Sequence, residues 1–315
     1  MTHFALIVAG DNVDLQLAQY AEQDFDPEYG VFEDTEGKEL TRYQTSQVDL
    51  VSLSDGTVYY ARDERFKVVQ NACSAEYAYP KDAVLRKGSY QELFKTFEEY
   101  MEIWRGYSAR DPKTGRYGFW YNPKAQYDWY VVGGRWTGYF KPKAGAVATL
   151  GRPGVFGNKP IDGWADSLKL GDIDIEAMRE TVVGDANETY DKIEKILDGR
   201  VYPSWADIKA KHTDIDEARA EYVSNEVVND FRKADIYDLG DFAATYGESR
   251  QDYINKRKSS VMVPYALLIN GEWYQKDDLA AEFPENTQAA WNAKFWELLG
   301  TLDPDTQLTV VDCHI

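Results

Sequence analysis

The chain has 315 residues, of which 43% are hydrophobic and 14% aromatic, and its formal net charge is −19 at pH 7. This composition predicts a folded globule rather than a disordered chain. Broad binding to nucleic acid and binding to an anionic membrane surface are both disfavoured, because each requires a concentrated basic surface. The short apolar run at the N-terminus lacks a basic region, and no stretch approaches the ~18 apolar residues of a membrane span.

Two cysteines occur, Cys73 and Cys313. So few cysteines predict reduced thiols and a cytoplasmic protein. The acidity suits high solubility or a partner with a basic patch, and mimicry of DNA by carboxylates is a sharper version of the second alternative.

The first element in the chain is "HFALIVAG" (residues 3–10), a short apolar run that predicts a buried strand. Residues 24–80 are polar and Tyr-rich, and predict loops with one or two strands. The clearest helix is "SYQELFKTFEEYMEIWRGY", which opens with a capping box formed by Ser89 and Glu92. Residues 141–160 are rich in Gly and Pro and predict a linker or an extended loop.

Residues 162–258 are strongly charged and mostly helical in pattern. Beyond them, Asn270-Gly271 between apolar flanks predicts a hairpin with a type I′ turn. An amphipathic helix and a last strand follow. We therefore expect an α+β fold with a ferredoxin-like antiparallel sheet, helices on one face and an acidic helical insertion. The expected core domain comprises residues 1–158 and 259–315, and the insertion comprises residues 159–258.

The stretch "YDWYVVGGRWTGYF" (residues 127–140) predicts a hairpin around Gly133-Gly134, because both glycines accept the positive φ of a tight turn. A phosphate-binding glycine loop is disfavoured, since no helix pattern follows. Counting outward from the turn assigns the two faces of the hairpin. The core face would hold Tyr127, Trp129, Val131, Trp136, Gly138 and Phe140. The polar face would hold Asp128, Tyr130, Val132, Arg135, Thr137 and Tyr139.

This polar face is either solvated or a ligand surface. Asp128, Tyr130, Arg135 and Tyr139 are its candidate ligand-binding residues, since guanidinium and phenol groups suit an anionic or planar ligand.

A second candidate cluster lies at the chain ends. His3 opens the first strand, and Asp312, Cys313 and His314 close the last one. In a ferredoxin-like sheet these strands are antiparallel neighbours, so His3 and His314 should lie at the same end of the sheet. Asp312 and His314 should share one strand face, with Cys313 on the other. Structural pairing, a catalytic or ligand-binding cluster and a metal site all remain open. No metal or other cofactor is expected, and no complete catalytic motif occurs.

Three segments together resemble a family of phage and prophage proteins. They are the opening "MTHFALIVAGD", the run "NPKAQYDWYVVGGRWTGYF" and the ending "LTVVDCHI". Members of that family usually begin Met-Ser/Thr-His-Phe, contain Trp-Asp-Trp-Tyr-x-x-Gly-Gly-Arg-Trp and end Val-Asp-Cys-His, whereas Tyr127 stands here in place of the first Trp. The resemblance implies a phage context and favours a role in host takeover or counter-defence, without implying an activity.

We therefore expect a phage-type accessory protein of the host cytoplasm that binds a small anionic or nucleotide-like ligand. The binding residues would be those of the polar hairpin face together with His3, Asp312 and His314. One alternative is an acidic inhibitor that contacts a host protein through the helical insertion. A second alternative is a hydrolase that uses the His/Asp/Cys cluster for acid–base or metal-assisted chemistry.

Overall fold

The structure, a computed structural model, describes residues 2–70, 75–152, 159–236, 242–247 and 249–315, with residues 69 and 70 described by their backbone alone. The chain divides into two compact units, which are described separately below. Unit 1 comprises Met1–Gln19 and Gln126–Ile315, and unit 2 comprises Tyr20–Ala125. These divisions differ from the expected domain boundaries, and the segment expected as an insertion belongs to unit 1 together with the main sheet.

Strands and helices are numbered in chain order. The strands are β1 (His3–Ala9), β2 (Val31–Asp34), β3 (Gln47–Ser52), β4 (Val58–Tyr60), β5 (Lys67–Gln70), β6 (Ala75–Tyr77), β7 (Val84–Ser89), β8 (Gly118–Tyr121), β9 (Trp129–Val132), β10 (Ala148–Thr149), β11 (Ser167–Lys169), β12 (Ala266–Ile269), β13 (Glu272–Gln275) and β14 (Gln307–His314). The helices are α1 (Val13–Ala18), α2 (Glu36–Thr45), α3 (Tyr90–Leu93), α4 (Phe97–Glu99), α5 (Ile175–Leu197), α6 (Trp205–Lys211), α7 (Ile215–Ser224), α8 (Glu226–Lys233), α9 (Phe242–Tyr246), α10 (Arg250–Ser259) and α11 (Thr287–Leu299).

The main sheet of unit 1 is built around β14 and β1, which pair antiparallel along their whole length. β12 and then β13 continue the sheet beyond β1. On the other side of β14, β9 pairs with its C-terminal half and β11 with its N-terminal half. The α+β class is confirmed. The sheet is mixed rather than wholly antiparallel, because β1 and β12 run parallel.

The central strands are buried because the sheet is covered. Ile7 of β1, Leu267 of β12 and Val310 of β14 form a core with Trp291 and Phe295 of α11. All five side chains are at most 1% exposed. Central strands of a covered sheet read as nearly continuous apolar runs, which explains "ALIV" in β1 and "LTVV" in β14.

Several predicted elements of unit 1 are confirmed. β12 and β13 form the predicted hairpin, in which Asn270 and Gly271 have φ of 54° and 77°. The predicted helix after it is α11. The charged segment is helical, as its pattern indicated. Its long helix is α5, and α7 is separated from α8 at Asn225, which caps α8 by accepting from the amides of Val227 and Val228.

Unit 2 is a set of small antiparallel sheets with short helices. β4, β3 and β7 form one sheet, and β2 with β8 and β5 with β6 form two-stranded ribbons. Residues 24–80 are therefore richer in strands than predicted. The predicted long helix from Ser89 is interrupted, since Phe94 is extended and Thr96 caps a new helix by accepting from the Glu99 amide. The capping box of Ser89 and Glu92 is present.

The described part of the chain contains no helix long and apolar enough to cross a membrane.

Candidate functional site

The two terminal histidines lie side by side at one end of the main sheet. His3 of β1 is directly opposite His314 of β14, and Trp129 of β9 is opposite His314 on its other side. The centroids of the two imidazoles are 4.8 Å apart with the rings edge to face. The Trp129 indole stacks on His314 at 4.9 Å and 16°. The antiparallel pairing predicted for the first and last strands is thus confirmed, and it brings these rings together.

Each histidine is oriented by its own carboxylate. His3 Nδ1 lies 2.8 Å from Asp312 Oδ1, and His314 Nδ1 lies 2.7 Å from Asp128 Oδ1 and 2.9 Å from Asp128 Oδ2. An ionised carboxylate only accepts hydrogen bonds, so Nδ1 of each ring is the donor. We call His3, Asp128, Trp129, Asp312 and His314 the imidazole cluster.

The histidines and carboxylates of the cluster are largely withdrawn from solvent. The side chains of His3 and His314 are each 8% exposed, Asp312 is 0% exposed and Asp128 is 20% exposed. His314 uses Nδ1 for Asp128, and no described residue hydrogen-bonds to its Nε2. Because Asp128 fixes the direction of the ring, Nε2 of His314 is the atom that remains for chemistry.

Backbone contacts fix both carboxylates. The amide of Trp129 donates to Asp128 Oδ1 at 2.8 Å, and the amide of Asp128 donates to the carbonyl of His314 at 3.0 Å. The amide of Arg135 donates to Asp312 Oδ2 at 3.0 Å. Both carboxylates therefore hold a histidine with one contact and the backbone of residues 128–135 with another.

The Gly-Gly pair has a different role from the predicted turn. Gly134 has φ of 53°, and a Cβ at this position would lie 2.6 Å from Asp312 Cβ and from Asp312 Oδ2. The glycine therefore lets the chain approach Asp312 closely enough for the amide of Arg135 to bind it. Gly134–Trp136 forms a 3₁₀ turn rather than the start of a returning strand.

The predicted hairpin is consequently wrong. β9 pairs with β14, and its partner comes from the far end of the chain instead of from residues 135–140. The assignment of faces fails with it: Trp129 was placed in the core and is 38% exposed in the imidazole cluster. Tyr127, by contrast, is buried as predicted, and its hydroxyl donates to the carbonyl of Leu17 at 3.1 Å.

Two of the predicted ligand-binding residues, Tyr130 and Tyr139, lie outside the cluster. Tyr130 is on the opposite face of β9 from Trp129, where its hydroxyl donates to Asp14 Oδ1, and burial together with this contact raises its pKa. Tyr139 packs against the core of the main sheet, and burial raises its pKa. Arg135 meets the cluster through its backbone amide, and its side chain is exposed.

Cys313 is also outside the cluster. It lies opposite Tyr130 in the register, on the other face of β14 from His314. Its side chain is fully buried and free of a disulfide, and burial raises the pKa of the thiol. These properties fit a packed thiol rather than a nucleophile. Cys73 lies outside the described residues.

Asp166 was not predicted from the sequence, although it binds the loop that follows Trp136 beside the cluster. This fully buried carboxylate accepts from the Thr137 hydroxyl at 3.1 Å, the Gly138 amide at 2.5 Å and the Gly151 amide at 2.8 Å. Nothing in its neighbourhood, "DGWADSLK", marks it, because all three donors come from distant positions.

The described residues contain no group of three or more His, Cys, Asp or Glu side chains that could hold a metal ion. His212 is not part of the imidazole cluster. It lies on the surface at the end of α6, and its Nε2 is 2.6 Å from Oε2 of Glu221.

The acidic helices form a core of their own. Tyr190 and Ile193 of α5 pack with Phe231 of α8. Some of the acids are paired locally, for instance Asp191 and Glu194 with the guanidinium of Arg250 at 2.6 and 2.7 Å. Contact of these helices with a host protein stays a prediction.

Comparison with known proteins found no matching family model, no matching curated protein and no matching solved structure.

Proposed function

We propose that the protein binds a small anionic, nucleotide-like ligand at the imidazole cluster. The observation that supports this is the pair of neighbouring imidazoles, each held by a carboxylate on Nδ1. A protonated imidazole held in this way directs an Nε2–H donor at an anionic oxygen. The phage-type accessory role, in counter-defence or host takeover, rests on the resemblance of the three sequence segments alone.

The test is calorimetric titration of the protein with phosphorylated small molecules. His314→Gln should abolish binding at the imidazole cluster, whereas His212→Gln, which alters the surface histidine, should leave it intact. Equal affinity in wild type and His314→Gln would contradict the proposal. Absence of binding to every phosphorylated compound would contradict it as well.

A hydrolase is the second candidate, favoured by the presence of two oriented imidazoles rather than one. In general acid–base catalysis one ring takes a proton from water while the other gives a proton to the leaving group. Cys313 takes no part in this version, because it is buried on the other face of β14.

Turnover of phosphate mono- and diesters would distinguish catalysis from binding. If the imidazoles act as acid and base, His3→Gln and His314→Gln should each lower the rate by at least about a hundredfold, with His212→Gln unchanged. Binding of these esters without any turnover would support the ligand-binding function and contradict the hydrolase.

A further inference from the structure

Unit 2 contains a separate pocket that the imidazole cluster does not use. It has a volume of about 310 Å³ and is lined by Asp24, Phe25, Pro27, Lys113 and Trp120. This volume is at the lower end of the range of small-molecule sites. All lining residues belong to unit 2, so the pocket is independent of the proposed function of unit 1.

Two aromatic rings form the walls of the pocket, and a glycine lets them converge. A Cβ at Gly30 would lie 2.8 Å from Phe25 Cε2 and 3.2 Å from Trp120 Cε3. The Trp120 indole is fixed in place, since its Nε1 donates to Asp111 Oδ2 at 2.8 Å and its ring contacts Phe32 at 5.6 Å. The Trp120 wall is therefore held by contacts outside the pocket.

A cation lies beside this aromatic wall. Lys113 Nζ is 5.1 Å from the centroid of the Trp120 ring. The same Asp111 that holds Trp120 also accepts from the amide of Lys113 at 3.0 Å, so one carboxylate positions both residues. Within the described ranges the Lys113 ammonium forms no ion pair. An ammonium on an aromatic face without a carboxylate partner is available to a ligand anion.

The pocket also has an acceptor. Asp24 adopts a left-handed backbone with φ of 52°, and its carboxylate hydrogen-bonds to no residue in the described part of the chain. The carboxylate can accept from an N–H group of a bound ring.

We propose that this pocket binds a planar heteroaromatic ligand with an anionic substituent, the chemistry of a mononucleotide. The ring stacks between Trp120 and Phe25, and the Lys113 ammonium binds the phosphate. The Asp24 carboxylate accepts from an N–H of the base, which is a ring N–H in guanine and uracil and an exocyclic amino group in adenine and cytosine. Stacking on aromatic side chains tolerates different bases, so the four common bases should differ little in affinity.

The experiment is calorimetric titration of the full chain with the 5′-monophosphates of adenosine, guanosine, cytidine and uridine. Adenosine and inorganic phosphate serve as half-ligands. We expect the monophosphates to bind at least tenfold more tightly than either half-ligand. Lys113→Gln should reduce their affinity at least tenfold and leave adenosine binding unchanged, and Phe25→Ala should weaken the monophosphates and adenosine alike.

Lys38→Gln is the matched control, because Lys38 is an exposed lysine of the same unit outside the pocket. Its affinity for the monophosphates should equal that of wild type, and circular dichroism of all variants checks that they fold. His314→Gln separates the two sites: it should leave binding in this pocket intact. No binding of any monophosphate, or binding unchanged in both Lys113→Gln and Phe25→Ala, would overturn the proposal. Binding lost in His314→Gln and kept in Lys113→Gln would also overturn it, and would assign the ligand to the imidazole cluster.

Discussion

His314 Nδ1 lies 2.7 Å from Asp128 Oδ1, although the two residues are 186 positions apart in the chain. The contact exists because β9 pairs with the last four residues of β14, which sets Trp129 opposite His314 and Asp128 just beyond it. A similar pair, His3 and Asp312, joins the two ends of the chain at 2.8 Å. Two oriented imidazoles at one end of a sheet are the basis of the proposed function.

The tautomer of His314 tests this geometry directly. With Asp128 accepting from Nδ1, neutral His314 should carry its hydrogen on Nδ1, whereas free imidazoles mostly carry it on Nε2. Long-range ¹H–¹⁵N correlation spectra distinguish the two forms. Asp128→Ala should shift His314 toward the Nε2–H form and cost about 1 kcal/mol of the free energy of unfolding. An Nε2–H tautomer in wild type would contradict the pairing.

Gly134→Ala should destabilise the protein more than Gly145→Ala does. Both glycines have positive φ, 53° and 81°, but only at Gly134 would the new Cβ meet another residue, Asp312. The conformational cost alone is about 1 kcal/mol, which Gly145→Ala should show. Gly134→Ala should add about 2 kcal/mol for the displaced loop. Urea unfolding midpoints measure the stability of both variants. Equal losses of stability in the two variants would show that the loop does not contact Asp312.

Asp166→Asn should cost about 2–3 kcal/mol of the free energy of unfolding. An amide keeps one acceptor oxygen, so at least one of the donors on Thr137, Gly138 and Gly151 loses its partner in a buried site. Asp305→Asn is the control, because Asp305 is 82% exposed and its surface ion pair with Lys169 should contribute little to stability. A loss no greater than that of the control would refute the bracing role of Asp166.

Cys313 should be unreactive in the native protein. Burial raises the pKa of its thiol, so little thiolate is present and access is blocked. In a Cys73→Ser background, Ellman's reagent at pH 8 should label no thiol in native protein and one per chain in guanidinium. Rapid native labelling would contradict the burial of Cys313 and would reopen a thiol-dependent hydrolase.

His212 should titrate above its ordinary value of 6.5, because the hydrogen bond that its imidazole donates to Glu221 raises its pKa. Since the folded pKa is the higher one, its stabilisation is complete below the unfolded pKa and is lost as pH rises through the folded pKa. Glu221→Gln should return the NMR titration midpoint of His212 toward 6.5. The site is exposed, so the change in stability should be small, and an unchanged midpoint would show that the pair does not form in solution.

Patterns of local origin predicted much of unit 1. The apolar runs of β1 and β14 and the glycine-containing turn between β12 and β13 identify their elements from neighbouring residues alone. In unit 2, the long helix predicted from Ser89 is only partly correct. Its apolar spacing continues through Phe94, but the helix is interrupted and Thr96 caps a new helix. The spacing of apolar residues predicts which face of a helix is buried, but it does not predict a break in the backbone hydrogen bonding of that helix.

The assumed antiparallel sheet predicts that the first and last strands lie side by side. This prediction correctly places His3 next to His314. The carboxylate partners of the two histidines could not be predicted from this pairing. The pattern of residues 127–140 fits a local hairpin, whereas β9 pairs with β14, where Trp129 stacks on His314. Once β9 pairs there, Gly134 is needed for close approach to Asp312 rather than for a turn.

The sequence by itself therefore determined the α+β class, the central strands and the meeting of the two terminal histidines. Tertiary structure alone decided which carboxylate orients each ring, why Asp166 is buried and where Tyr130 and Tyr139 point. The reason is physical: strand and turn signals arise from residues a few positions apart, whereas each of these carboxylates acquires its donors from segments brought together only by the pairing of distant strands.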